Sequence, residues 1–216
     1  MDRTLAVTLK SKAVNGWNLY ALIMIPISLL VGSAMTRVDL SNPDDISSLI
    51  QVSVRCSVPW LYLAFAASSL QQLFPGELSR WLMRNRRMIG LCFAGGMAWQ
   101  LLFILWMVIG YWHYYVDEVF TVIDLATQIP GYLLLTAMTL TSFMPVRRKL
   151  SPKQWRTLHT ASIYYLWGLV WSTYWFELNY YGDINPIDYV YYWGGFIAWG
   201  LRVCAWSKKR LRLAAL

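Results

Sequence analysis

The sequence is poor in charge and in the side chains that carry metal or nucleophilic chemistry. Only 14% of its 216 residues are charged, and it has two histidines and three cysteines. Cys56, Cys92 and Cys204 stand alone in apolar surroundings without a CxxC spacing. That excludes a disulfide framework and a cysteine zinc site. There is no GxGxxG after a strand, no Walker sequence, no HExxH and no Ser–His–Asp arrangement, so no flavin or nicotinamide domain is fused to the chain. No lysine or carboxylate lies at the centre of an apolar run. Ion-coupled transport usually needs one there, and its absence argues against that class.

What is abundant is apolar sequence. The chain is 57% hydrophobic with a mean hydropathy of +0.40, against about 45–50% apolar residues in soluble domains. The excess gathers in six runs, at 17–36, 50–73, 88–111, 119–143, 158–176 and 189–206. Each approaches the ~20 residues a helix needs to cross the hydrocarbon core. Pro26, Pro59 and Pro130 fall inside runs, where bundled membrane helices tolerate proline. Strict apolar–polar alternation is missing, which argues against a β-barrel. The first run is longer than the apolar part of a signal peptide and no small-residue cleavage site follows, so it reads as a retained span.

Charge then orients the runs. Seventeen of the nineteen basic residues lie on one side, in the N-terminal tail, after runs two and four, and from the end of run six onward. The other side carries Asp39, Asp44, Asp45, Asp117, Glu118, Glu177, Asp183 and Asp188. By the positive-inside rule both termini are cytoplasmic. The expected fold is all-α, an integral membrane six-helix bundle over residues 17–206 between basic cytoplasmic tails at 1–16 and 207–216. The net charge of +8 then faces the bilayer's anionic cytoplasmic leaflet, and nothing calls for nucleic acid.

The outer ends are aromatic, in "GYWHYY" (110–115), "YWFELNYYG" (174–182) and "DYVYYWGG" (188–195). These suit an interfacial belt or a pocket for a ring-shaped ligand. His113 falls in the first of them. Polar groups within the runs are few and are candidate sites by default. Arg55 and Asp124 enter their runs from the same side at similar shallow depth, so Asp124 is a possible partner for Arg55. Gly90, Ala94 and Ala98 form a small-residue stripe suited to close helix approach. Gln100 is a strongly polar side chain deep in run three, and His159 opens run five.

Three stretches carry a resemblance. "RNRRMIGLCFA" (84–94), "PGYLLLTAMTLTS" (130–142) and "WRTLHTASIYYLW" (155–167), in this order on runs three, four and five, resemble the ferric reductase-like transmembrane domain family. That family includes eukaryotic ferric reductases, NADPH oxidases and the bacterial haem-binding membrane subunit of the methionine sulfoxide reductase system. The likeness extends from about residue 55 to about residue 174. Its most specific features are the arginine pair followed by Gly90–Leu91 and the Leu158–His159 pair after a basic segment. It implies a six-helix bundle in a plasma membrane, the bacterial inner membrane for the subunit type. It also implies haem b between runs three and five, and electron transfer supplied by a cytoplasmic flavoprotein or the quinone pool.

The carry-over is incomplete at the ligands. Gln100 and Ser172 occupy positions where the family has histidine, and Met97 stands where some relatives have another. The residues left to hold a haem are His159 as iron ligand, Met88 as a possible second axial ligand, and Arg86 and Arg87 beside them. Two readings follow. One is a membrane electron-transfer subunit with one haem anchored by His159, which makes it an oxidoreductase-type component. The other is a haem-less structural or interaction subunit of the same fold.

Overall fold

A computed structural model of the chain describes residues 3–119, 121–180 and 184–214, with the side chains of residues 3–6 and of Asp124 outside that description. Among the described residues the regular structure is helical throughout, with no strand. Nine α-helices follow in order: α1 Arg3–Lys10, α2 Gly16–Met35, α3 Pro43–Leu73, α4 Glu77–Gly110, α5 Trp112–Tyr114, α6 Val122–Thr141, α7 Met144–Arg147, α8 Pro152–Asn179 and α9 Pro186–Ala214.

The long helices outrun the apolar segments. α3 starts at Pro43 because the Asn42 side chain accepts from the Asp44 N–H at 3.1 Å. Pro43 takes the first position and Asp44 and Asp45 fill the first turn, all favourable at a helix N-terminus. α8 opens with a reciprocal box in which Ser151 Oγ accepts from the Gln154 N–H and Gln154 Oε1 accepts from the Ser151 N–H. α4 starts at Glu77, so Arg80, Arg84, Arg86 and Arg87 sit on its first turns and not in a loop. Hydropathy marks only the part of a helix that is apolar; capping chemistry decides where the helix begins. The basic N-terminal segment is likewise structured, as α1 and a short 3₁₀ turn at Lys12–Val14.

α3 is the central helix. It packs most extensively on α4, then on α9, and also touches α2 and α8, while α6 packs on α8 and lightly on α4. Val31, Ile46, Leu49, Ile89, Cys92 and Met107 fill the space among α2, α3 and α4. Val58, Leu61, Phe65, Phe93, Leu166 and Ala198 fill the other side of α3. α4 approaches α3 closely at Gly96, where a Cβ would overlap the Ser57 side chain. The stripe of Gly90, Ala94 and Ala98 does not make this crossing; those residues line two cavities described below.

The exterior is apolar. Large apolar side chains are exposed on several of the long helices: Ile109 is 82% exposed, Val122 73%, Leu29 68% and Ile197 64%. α2, α3 and α4 are each long and apolar enough to cross a membrane.

The two ends of the bundle differ in charge. At the acidic end, Arg55 donates from Nε and Nη2 to the two carboxylate oxygens of Asp188, at 3.1 and 3.0 Å. Arg55 is therefore bound by α9. The suggested partner, Asp124, has its side chain outside the described residues; α9 lies along α3, whereas α6 is carried by α8. Nearby the Tyr114 hydroxyl donates to Asp44 Oδ1 at 2.6 Å, which holds the Tyr114 phenol up at about 12. His113 is exposed at this end.

Candidate functional site

The run Arg84–Asn85–Arg86–Arg87 divides its work four ways, because successive helical residues turn by about 100°. Arg84 reaches back to the N-terminal segment, donating to the Leu9 carbonyl at 2.7 Å and to Asn15 Oδ1 at 3.0 Å. Asn85, 2% exposed, accepts from the Gly16 N–H and donates to Asn15 Oδ1. Those bonds fix the start of α2, where Gly16 takes a φ of 61°. Arg86 turns inward and donates from Nε to the Ala64 carbonyl of α3 at 2.9 Å. Arg87 lies over the Phe143 ring, 5.4 Å from its centroid.

Arg86 and Arg87 line a cavity of about 420 Å³ at the basic end, walled by α3, α4, α6, α7, α8 and α9. Arg84, Arg147, Arg156, Arg202 and His159 also contribute to its lining, and no aspartate or glutamate does. Its floor is apolar, with Leu61, Leu91, Phe93, Leu135, Ile163 and Leu166. Arg86 and Arg202 are half-buried, whereas Arg87, Arg147 and Arg156 are exposed at the rim. Arg202 is held against the rings of Phe65 and Tyr164, at 4.2 and 4.6 Å, and its buried Nη1 has no hydrogen-bond partner. Arg147 stacks over Trp155 at 4.6 Å. Among the described residues, the ion pairs are Arg55–Asp188 and Arg80–Glu77, so none of the cavity arginines is neutralised by a carboxylate.

The sequence-predicted site residues are thus partly gathered. His159, Arg86 and Arg87 meet at one cavity. Met88 does not line it; it is buried on the stripe Asn85–Met88–Ile89–Cys92, which faces away. Arg147, Arg156 and Arg202 belong to the site, and sequence reasoning had used them only to orient the chain. The spacing Arg84–Arg87–Leu91 on one helix face was the available signal for a basic cavity in place of scattered end charges.

The residues present do not fit the paired-ligand haem that the resemblance implies. The Thr141 hydroxyl donates to the Ala137 carbonyl at 2.6 Å, and His159 Nε2 lies 3.0 Å from the same oxygen. His159 Nε2 and the Thr141 hydroxyl are thus hydrogen-bond partners. Trp155 covers the ring at a centroid distance of 4.4 Å. The imidazole is therefore already engaged. At the deeper level, Gln100 Oε1 accepts from the Tyr132 hydroxyl of α6 at 2.7 Å, and Ser172 donates to its own helix at the Leu169 carbonyl. Neither offers a nitrogen to iron.

Gln100 ties α4 to α6, two helices that otherwise touch little. Such bonds in lipid are worth ~0.6 kcal/mol on average and up to about 1.7. Gln100→Leu and Tyr132→Phe should each lower stability by about that amount. The double variant should lose no more than the larger single, read from thermal melts in detergent. Additive losses would show that the two side chains act separately.

Compared with known proteins, the chain matches no family model, no curated protein and no solved structure. The likeness to ferric reductase-like domains rests on the three quoted motifs.

Proposed function

We propose that the chain is a six-span integral membrane protein with both termini in the cytoplasm, and that its working part is the arginine cavity at the cytoplasmic end. In this reading it is a haem-less ligand-binding or interaction subunit of ferric reductase-like architecture. The three helices able to cross a membrane and the apolar exterior support the membrane setting. α6, α8 and α9, with 20, 28 and 29 residues, are long enough to complete six spans. The clustering of basic residues at one end supports the orientation.

The observation that carries the reading is the convergence of arginines on an apolar-floored cavity without a lining carboxylate. Guanidinium groups left unpaired in such a place call for an anion, because desolvated like charges repel. Arg86 and Arg202 both line the cavity and are half-buried. A volume of about 420 Å³ falls in the range of small-molecule sites. The ligand is anionic and partly apolar.

The electron-transfer reading keeps one observation in its favour: His159 lines the same cavity beside arginines that suit haem carboxylates. The two readings separate on a spectrum. The chain, expressed with haem supply and purified in detergent, should show no Soret band in oxidised or dithionite-reduced form. A band near one haem per chain that vanishes in His159→Ala would replace the haem-less reading with a single-haem electron-transfer subunit.

A further inference from the structure

A second cavity adjoins the first. It has a volume of about 330 Å³ and lies in the groove among α2, α4 and α6. No charged residue lines it; Trp17, Tyr20, Ala94, Ala98, Leu101 and Tyr132 are among its walls. Leu91, Leu135 and Thr139 line both cavities. At the junction, Arg87 of the basic cavity lies over Phe143 of the apolar groove. A charged chamber and an uncharged groove thus lie side by side, with three lining residues in common.

We propose that the two cavities together bind one anionic phospholipid from the inner leaflet. Its phosphate lies between Arg86 and Arg202, and one acyl chain lies in the groove along α4. The inference rests on the anion-site reading above and names the ligand class.

Four features carry it. The head chamber presents only positive charge, and phosphate is the acceptor that guanidinium forks match best. Arg202 Nη1, buried and without a partner, is a donor still to be satisfied. Basic pockets between membrane helices on the cytoplasmic side suit anionic head groups. The groove follows α4 from Leu91 to Leu101, about 15 Å at 1.5 Å per residue. That is half of the ~30 Å hydrocarbon thickness, the depth one leaflet's chain occupies. Ala98 is exposed in the groove and Gly90 opens on the head chamber with nothing within reach of a Cβ. The small-residue stripe on α4 therefore leaves room for a ligand in place of a helix.

The test uses the full chain in a neutral detergent, with thermal unfolding as readout. The probes are phosphatidylglycerol, phosphatidylcholine with the same acyl chains, and glycerol 3-phosphate as a head group alone. Phosphatidylglycerol near saturation should raise the midpoint by about 5–10 °C, phosphatidylcholine far less, and glycerol phosphate only slightly. Arg202→Gln, and separately the exposed rim pair Arg87→Gln/Arg147→Gln, should weaken the phosphatidylglycerol response about tenfold in concentration. Ala98→Trp fills the groove and should do the same while leaving the small glycerol phosphate response intact. Should Arg202→Gln fail to fold, the rim pair and Ala98→Trp still decide the matter. Equal responses to phosphatidylglycerol and phosphatidylcholine, with none to glycerol phosphate, would overturn the anion site and the lipid with it. Glycerol phosphate acting as strongly as phosphatidylglycerol, with Ala98→Trp inert, would overturn the lipid alone.

Discussion

Asp188→Asn should be among the most damaging single changes in the molecule, costing roughly 3–5 kcal/mol, the usual penalty for leaving one member of a buried ion pair alone. Asp188 is 1% exposed. Its carboxylate receives two hydrogen bonds from Arg55 and a third from the Asn185 N–H. The pair joins α3 to α9 across 133 residues of sequence, and Tyr191 adds a further tie from its hydroxyl to the Arg55 carbonyl at 2.7 Å. With asparagine in place, the Arg55 guanidinium keeps its charge and loses its counter-charge. Arg55→Gln should be nearly as harmful, since it strands the carboxylate. The double variant Arg55→Gln/Asp188→Asn should recover a substantial part of the loss, because the two residues act on each other. Thermal melts in detergent read all three. A midpoint for Asp188→Asn within about a degree of the parent would show that the pair adds nothing net.

Gly96→Ala should cost about 1–3 kcal/mol, the range for overpacking a filled interior. The residue sits where α4 crosses α3, the most extensive helix contact in the molecule, and any Cβ would collide with Ser57. Ser57 cannot easily swing aside, because its hydroxyl donates to the Ser53 carbonyl at 2.6 Å and the residue is fully buried. Gly90→Ala is the matched control: it places the same kind of group on the same helix, where a Cβ meets nothing within 4 Å, and should be neutral or slightly stabilising through helix propensity. Equal losses at the two positions would mean that helix crossing at Gly96 is looser than its geometry indicates.

Much of the architecture could be read from residue order. Apolar runs of the right length place the six long helices, since a helix that must bury its face or meet lipid has to be apolar along its length. Their ends were less legible. α3 and α4 extend well before their apolar cores because Asn42, Ser79 and their neighbours satisfy the free N–H groups of the first turn. Hydropathy has no access to that local hydrogen bonding.

The site was legible in parts. Arg86, Arg87 and His159 stood out, the arginines by charge beside an apolar run and the histidine by scarcity. Arg202 did not, because its role depends on α9 returning beside α3 and α8. Met88 was misplaced for a related reason: residues at one depth along a helix face different ways, and a single residue's step turns a side chain by about 100°. Gln100 marks the same divide. Its sequence position marks only a polar side chain deep in an apolar run, while the Tyr132 bond says what the amide does.

Sequence alone determined that this chain forms apolar helices with positive charge collected at one end, because composition and spacing act locally along the chain. Only the tertiary structure decided that those charges surround a cavity, that Arg55 pairs with Asp188, and that a small-residue stripe borders open space. Each of these depends on which helices become neighbours. That is settled by the close fit of Gly96 on Ser57 and of α9 along α3, contacts between residues far apart in sequence.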